Sequence, residues 1–237
     1  MALPPEQGLH LFQKAVEAYP DSVEARLARG QVLLSLGRLD EALADLDVVA
    51  ERSPSATARL ARAQCLHFLE RYPEALEEFG RWLELERSPA GLLARAETHV
   101  AMGSFARARD DARAALELDP ELGQAWCILG LALFVEGQHA RAIPNFNQAL
   151  QCDSQLAQAL YLRAQCFRSE GDLRSALEDF EAFLQVEPDN PAAIFARAEV
   201  LKGLGRAEES RTEMQRARRL CDDTKLAEVI EERLRAQ

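Results

Sequence analysis

No stretch of this sequence is apolar for long enough to cross a bilayer. The most apolar run, Ala125 to Val135, falls short of the roughly 20 residues a spanning helix needs. The start, MALPPEQGLH, lacks the basic region and apolar run of a targeting leader. Cysteine is sparse: Cys65, Cys127, Cys152, Cys166 and Cys221 make an odd number with no CxxC. That pattern suits free thiols in a reducing compartment and points to the cytoplasm. His10, His67, His99 and His139 are scattered, with neither HExxH nor a Cys–His spacing, so no metal site is expected. P-loop, GxGxxG and GxSxG are all missing, and with them any sign of a cofactor or a catalytic set. Lysine stands only at positions 14, 202 and 225, so the 28 basic residues are nearly all arginine; set against 39 acidic ones they leave a net charge of −11. Such a surface does not suit nucleic acid, whose phosphates require a basic one.

What is present is a period. The stretch from Gly123 to Ser154 reads GQAWCILGLALFVEGQHARAIPNFNQALQCDS. Trp126, Leu129, Gly130, Leu133, Gly137, Ala142, Phe146 and Ala149 stand in it at the places of the W-x₂-L-G-x₂-Y…A-x₃-F signature. Gly103, Gly137, Gly171 and Gly205 are each 34 residues apart. The chain thus resembles the tetratricopeptide repeat (TPR) family, with Leu133 in place of the Tyr and Ser154 in place of the closing Pro. The resemblance implies an all-α solenoid, a right-handed superhelix of antiparallel helix pairs with a capping helix at each end.

On this reading residues 1–22 hold a tail, with 1–5 frayed, and a capping half-repeat, and 223–237 form a C-terminal capping helix. Between them six repeats are expected at 23–55, 56–88, 89–122, 123–156, 157–190 and 191–222. The first two are one residue short. The first closes on Pro54, and Glu70 takes the place of a turn glycine in the second. Small residues at Gly30, Ala63, Ala96, Gly130, Ala164 and Ala198 should let paired helices approach closely. Pro144 falls inside a helical pattern and should bring a kink or a late helix start. In the tail helix, Leu226, Val229, Ile230 and Leu234 form the apolar stripe, with Asp222 or Asp223 as cap. It serves as a solvating cap, as a dimer contact, or as a helix tucked into the groove.

One column co-varies. Arg29, Arg62, Arg95, Arg163 and Arg197 are each followed 16 residues on by Asp45, Glu78, Asp111, Asp179 and Glu213; where the column holds Leu129, the partner is the neutral Asn145. Contact between the two helices of a repeat explains this, against the alternative of two unrelated solvated columns.

In the TPR family the first helices line a concave face, and the resemblance implies the same here. The residues that would line it are Leu27, Gln31, Leu60, Gln64, Leu93, Glu97, Leu131, Phe134, Tyr161, Gln165, Phe195 and Glu199. Leu34, His67, Val100, Arg168 and Lys202 stand one turn on. An apolar stripe beside amides and carboxylates suits a peptide or helix of a partner protein, neutral-apolar or basic in character. The same residues could instead complete helix packing. The basic and amide set by which some TPR proteins clamp acidic chaperone tails is missing, so such tails are not expected partners. The expected function is a non-enzymatic adaptor, monomeric or weakly dimeric. The alternative is a structural subunit of a self-associating or multiprotein complex, using its end helices or convex face.

Overall fold

The computed structural model describes residues 4–53 and 55–235. Met1, Ala2 and Leu3, Pro54, and Ala236 and Gln237 lie outside the described residues, and with them most of the frayed start, the closing proline of the first repeat and the last residues of the tail helix; Pro5, expected to be frayed, is instead the first residue of a helix. The rest folds into helices with no strand among the described residues. A lone helix α1 (Pro5–Ala18) is followed by α2 (Val23–Ser35) and α3 (Leu39–Arg52), then α4 (Ala56–Phe68) and α5 (Tyr72–Leu85), then α6 (Pro89–Ala101) and α7 (Phe105–Leu118). Next come α8 (Gly123–Val135) and α9 (His139–Cys152), α10 (Ala157–Ser169) and α11 (Leu173–Val186), α12 (Pro191–Gly203) and α13 (Ala207–Leu220), and a last helix α14 (Thr224–Arg235). No helix among the described residues is long and apolar enough to cross a membrane.

The chain forms two compact units, Met1–Pro120 and Glu121–Gln237. Within the first, α1 to α7 each pack on the next, and α2, α4 and α6 also touch side by side. Within the second, α8 to α14 do the same, with α8 against α10. This is an all-α solenoid of helix pairs.

The period comes from repeated local chemistry. Every first helix ends in the same turn, in which the residue after the glycine position donates its N–H back to the helix: Arg38 to the Leu33 carbonyl, Gln138 to Leu133, Arg206 to Leu201, each at 2.9 Å. That closure needs a left-handed residue, and Gly37, Gly103, Gly137, Gly171 and Gly205 supply it with φ of 70–83°. The second helix then crosses back over the first at a small residue. Gly30, Ala63, Ala96, Gly130, Ala164 and Ala198 are all buried; a Cβ on Gly130 would stand 2.6 Å from the ring of Phe146. The residue missing from each of the first two repeats leaves the helices untouched. Their first helices have 13 residues and their second 14, as elsewhere. The following connections are shortened instead, and the serines that close them cap the next helix: Ser55 Oγ accepts from Ala58 N and Ser88 Oγ from Gly91 N, both at 3.2 Å.

The arginine column meets its acids in all five places. Arg29 grips Asp45 with Nε–Oδ2 2.6 Å and Nη2–Oδ1 2.7 Å. Arg95 holds Asp111 at 2.8 and 2.6 Å, and Arg163 holds Asp179 at 2.7 and 2.6 Å. Arg62 reaches Glu78 at 3.0 Å and Arg197 reaches Glu213 at 2.5 Å. The acids are nearly closed off, with side chains of Asp45 and Glu78 3% exposed. The bond to the carboxylate leads in pushing the Arg29 and Arg95 guanidinium pKa up. Where the pair is absent, Asn145 turns to its own helix and donates to the Arg141 carbonyl at 3.1 Å.

Helix α9 begins at His139 after a three-residue turn, like its counterparts, so of the two outcomes expected at Pro144 the late start does not occur. Pro144 is exposed. In α14, Leu226, Ile230 and Leu234 pack on the core as the stripe implies, joined by Ala227, while Val229 does not belong to it and is 43% exposed. Asp223 is the cap, accepting from Lys225 N at 2.8 Å.

Candidate functional site: a neutral cleft between two first helices

The first unit carries a cleft of ≈ 500 Å³ between α2 and α4. Helix α2 contributes Gln31, Leu34 and Ser35; α4 contributes Thr57, Leu60, Ala61, Gln64 and Phe68. None of these is charged, in a chain where 28% of residues are. Leu34 and Leu60 back onto the core formed by Leu33, Leu46, Leu66, Phe79 and Trp82, so one side of each is fixed and the other faces the cleft. Phe68 stands at the mouth, 62% exposed. An aromatic ring left in water at the edge of an apolar cleft is surface that burial by a ligand would stabilise, by about 25 cal/mol per Å².

The amides set this cleft apart. Neither Gln31 nor Gln64 has a hydrogen-bond partner among the described residues. A carboxamide donates and accepts at once, which matches the paired N–H and C=O of an extended peptide. In two other clefts the arginines are already committed. Beside α1, a space lined by Arg29 and Arg38 has Arg29 bound to Asp45 and Gln13, and Arg38 bound to Glu41. The matching space beside α12 and α13 is lined by Arg197, held by Glu213, and Arg206, held by Glu209.

Helix α4 is also tied to α6. Thr98 Oγ1 donates to the Ala94 carbonyl at 2.9 Å, so it accepts from His67 Nδ1, also at 2.9 Å. Burial pushes the His67 pKa down. Glu97, next to Thr98, is exposed and has no partner among the described residues; desolvation by the surrounding protein holds its carboxyl above the usual range.

Of the residues expected to line a groove, Gln31, Leu60 and Gln64 come together in this cleft. Leu27 is half-buried on the same core. Leu93 is buried and has little surface to offer. In the second unit, Leu131 and Phe134 pack around Cys127 and Phe146. Tyr161 is half-buried, its ring 5.3 Å from that of Phe183 and 5.9 Å from that of Phe180. Gln165 is half-buried. Phe195 leans on the core around Ile194 and Met214, and Glu199 faces Arg233 of α14 at 3.9 Å. Phe68 is the member that sequence reasoning missed. Its column, Ser35, Phe68, Ala101, shows no apolar repetition, and only a large aromatic on the last residue of a first helix could have marked it.

Other candidates close. The Cys127 thiol is buried and its pKa is pushed up to about 12 by desolvation, so it is no nucleophile. Arg211, Arg216, Arg218 and Arg219 stand together on α13; of these, Arg218 is bound to Glu231, and Arg216 to the Pro188 carbonyl and Asp189.

Tetratricopeptide repeat family models match residues 5–57 and 93–157, and a second such model matches 167–224. No curated protein sequence matches the chain. Among solved structures, a chain of the APC/C hetero-tetramer Cut9–Hcn1 superposes with a TM-score of 0.79 at 16% identity, over 95% of this chain and 45% of that one. This chain therefore spans less than half the length of that neighbour. PilF of Pseudomonas aeruginosa gives 0.78 at 19% identity, over 89% of this chain and 97% of the other. YrrB, described as a TPR protein with an unusual peptide-binding site, gives 0.51 at 21% identity, over 93% and 97%.

Proposed function

We propose, from the premise that this chain belongs to the tetratricopeptide repeat family, that it is a protein–protein interaction scaffold whose first unit holds an extended segment of a partner protein in the cleft between α2 and α4. The observation that carries this reading is the conjunction of two unspent amides, Gln31 and Gln64, with Leu34, Leu60 and the exposed Phe68 in a cleft without charge. The amides would bond the backbone of the segment and set its register, and the apolar side chains would supply affinity. The peptide-binding site in the description of YrrB is in keeping with it. Of the other residues expected to line a groove, Leu27, Leu93 and Glu97 belong to the same unit and would extend the contact or shape its walls, while Leu131, Phe134, Tyr161, Gln165, Phe195 and Glu199 would line a separate face of the second unit.

The test is a double variant, Leu34→Ala with Phe68→Ala. Both side chains are at least partly exposed, so the helices are expected to persist by circular dichroism. Binding of a captured partner should weaken at least about a hundredfold, as loss of two apolar anchors implies. Unchanged binding would remove the cleft from the account. Tyr161→Ala is a poorer probe, because that ring packs on Phe180 and Phe183 and its loss would disturb the helix pair itself.

A further inference from the structure

Resting on that reading, we infer that the segment held in the cleft carries a lysine or arginine that pairs with Glu97, so that the ligand runs from α2 across α4 to α6 with its apolar residue at Phe68 and its basic residue beyond. Glu97 occupies in α6 the place that Gln31 occupies in α2 and Gln64 in α4, each 33 residues on from the last. The three helices touch in sequence, and the His67–Thr98 hydrogen bond fastens the neighbour of Phe68 to the neighbour of Glu97. The column therefore reads amide, amide, carboxylate along one continuous face.

Asp45, Glu78 and Asp111 of the same unit are gripped by arginine, and Glu97 is not. The cations that could have turned to Glu97 from its own and the adjoining helix are engaged elsewhere: Arg95 with Asp111, Arg62 with Asp47 and Glu78, Arg59 with Glu78. Glu97 has no partner among the described residues, and its surroundings disfavour the charge it carries. A cation brought by a ligand would relieve that cost and meet no competing cation. The equivalent carboxylate in the second unit, Glu199 of α12, has a cation within reach, Arg233 Nε of α14 at 3.9 Å. The net charge of −11 favours the same sign of partner from a distance.

Selection from a phage-displayed library of random dodecapeptides, on the full chain, tests this. The wild-type chain should enrich peptides with Lys or Arg at a fixed spacing from a large apolar residue. Glu97→Gln should bind the selected peptide about tenfold more weakly, while keeping the apolar preference. Glu97→Lys should turn the selected basic position to Asp or Glu. The Gln variant is expected to fold, since it removes a charge that its site disfavours. Peptides that depend on Leu34 and Phe68 but show no basic preference, or ignore Glu97→Gln, would overturn the inference and leave the cleft standing. Peptides indifferent to Leu34→Ala with Phe68→Ala, or no peptides at all, would overturn both. Self-association of the chain that a selected peptide reverses would make a second copy the occupant and overturn the pairing with a separate partner.

Discussion

Glu70 is the residue whose identity and conformation disagree most. It holds φ at 58°, the place in which the five sister turns have glycine, and it is the one residue other than glycine with positive φ among the described residues. Its neighbours close the turn as elsewhere, Arg71 N donating to the Leu66 carbonyl at 2.9 Å, so the fold imposes the conformation on an unsuited side chain. A left-handed conformation costs an L-residue roughly 1–2 kcal/mol, of which glycine's greater freedom when unfolded returns a part. Glu70→Gly should therefore raise stability to urea unfolding by about 1 kcal/mol. At this scale the sequence was legible where a residue type answers one backbone need, as the glycines do. It was opaque at Tyr161, because the backbone position suggests an exposed groove while the ring is long enough to lean on Phe180 and Phe183 of the paired helix.

The arginine–carboxylate column belongs to the helix pair, since it joins the first helix to the second. Asp179 is nearly closed from water and takes both its bonds from Arg163. Removing either partner leaves the other desolvated and unmatched, at about 3–5 kcal/mol. Arg163→Leu and Asp179→Asn should each destabilise by that order. Together they should cost less than their sum by about 1–3 kcal/mol in a double-mutant cycle, the combination that the Leu129 and Asn145 pair already tolerates. Strict additivity would mean the contact contributes nothing of its own. The contact was legible because both columns change together. What escaped the sequence is that the arginines also reach back to the preceding pair: Arg29 to Gln13 at 2.9 Å, Arg62 to Asp47 at 2.7 Å, Arg163 to Asn147 at 2.7 Å. Those acceptors are an amide, a carboxylate and another amide, so no column announces them. The guanidinium, with five donors, is the group able to serve both sides at once.

At the scale of the molecule, a period of helix pairs replaces the single enclosed core of a globular domain, and stability is spread over neighbour contacts. That much follows from the spacing of glycines and apolar residues alone. The place where a partner would sit does not, because fold does not dictate function and because the cleft between α2 and α4 depends on which side chains remain unspent after packing. Gln31 and Gln64 look like any wetted column in sequence; their lack of partners, and the lack of charge around them, is visible only in three dimensions. The most direct measurement is on those two side chains. In a titration of the isotopically labelled chain with a selected peptide, the carboxamide NH₂ resonances of Gln31 and Gln64 should shift together with the amides of Leu60 and Phe68. Saturating binding that leaves both carboxamides unmoved, while resonances of α3 and α5 shift, would contradict the account.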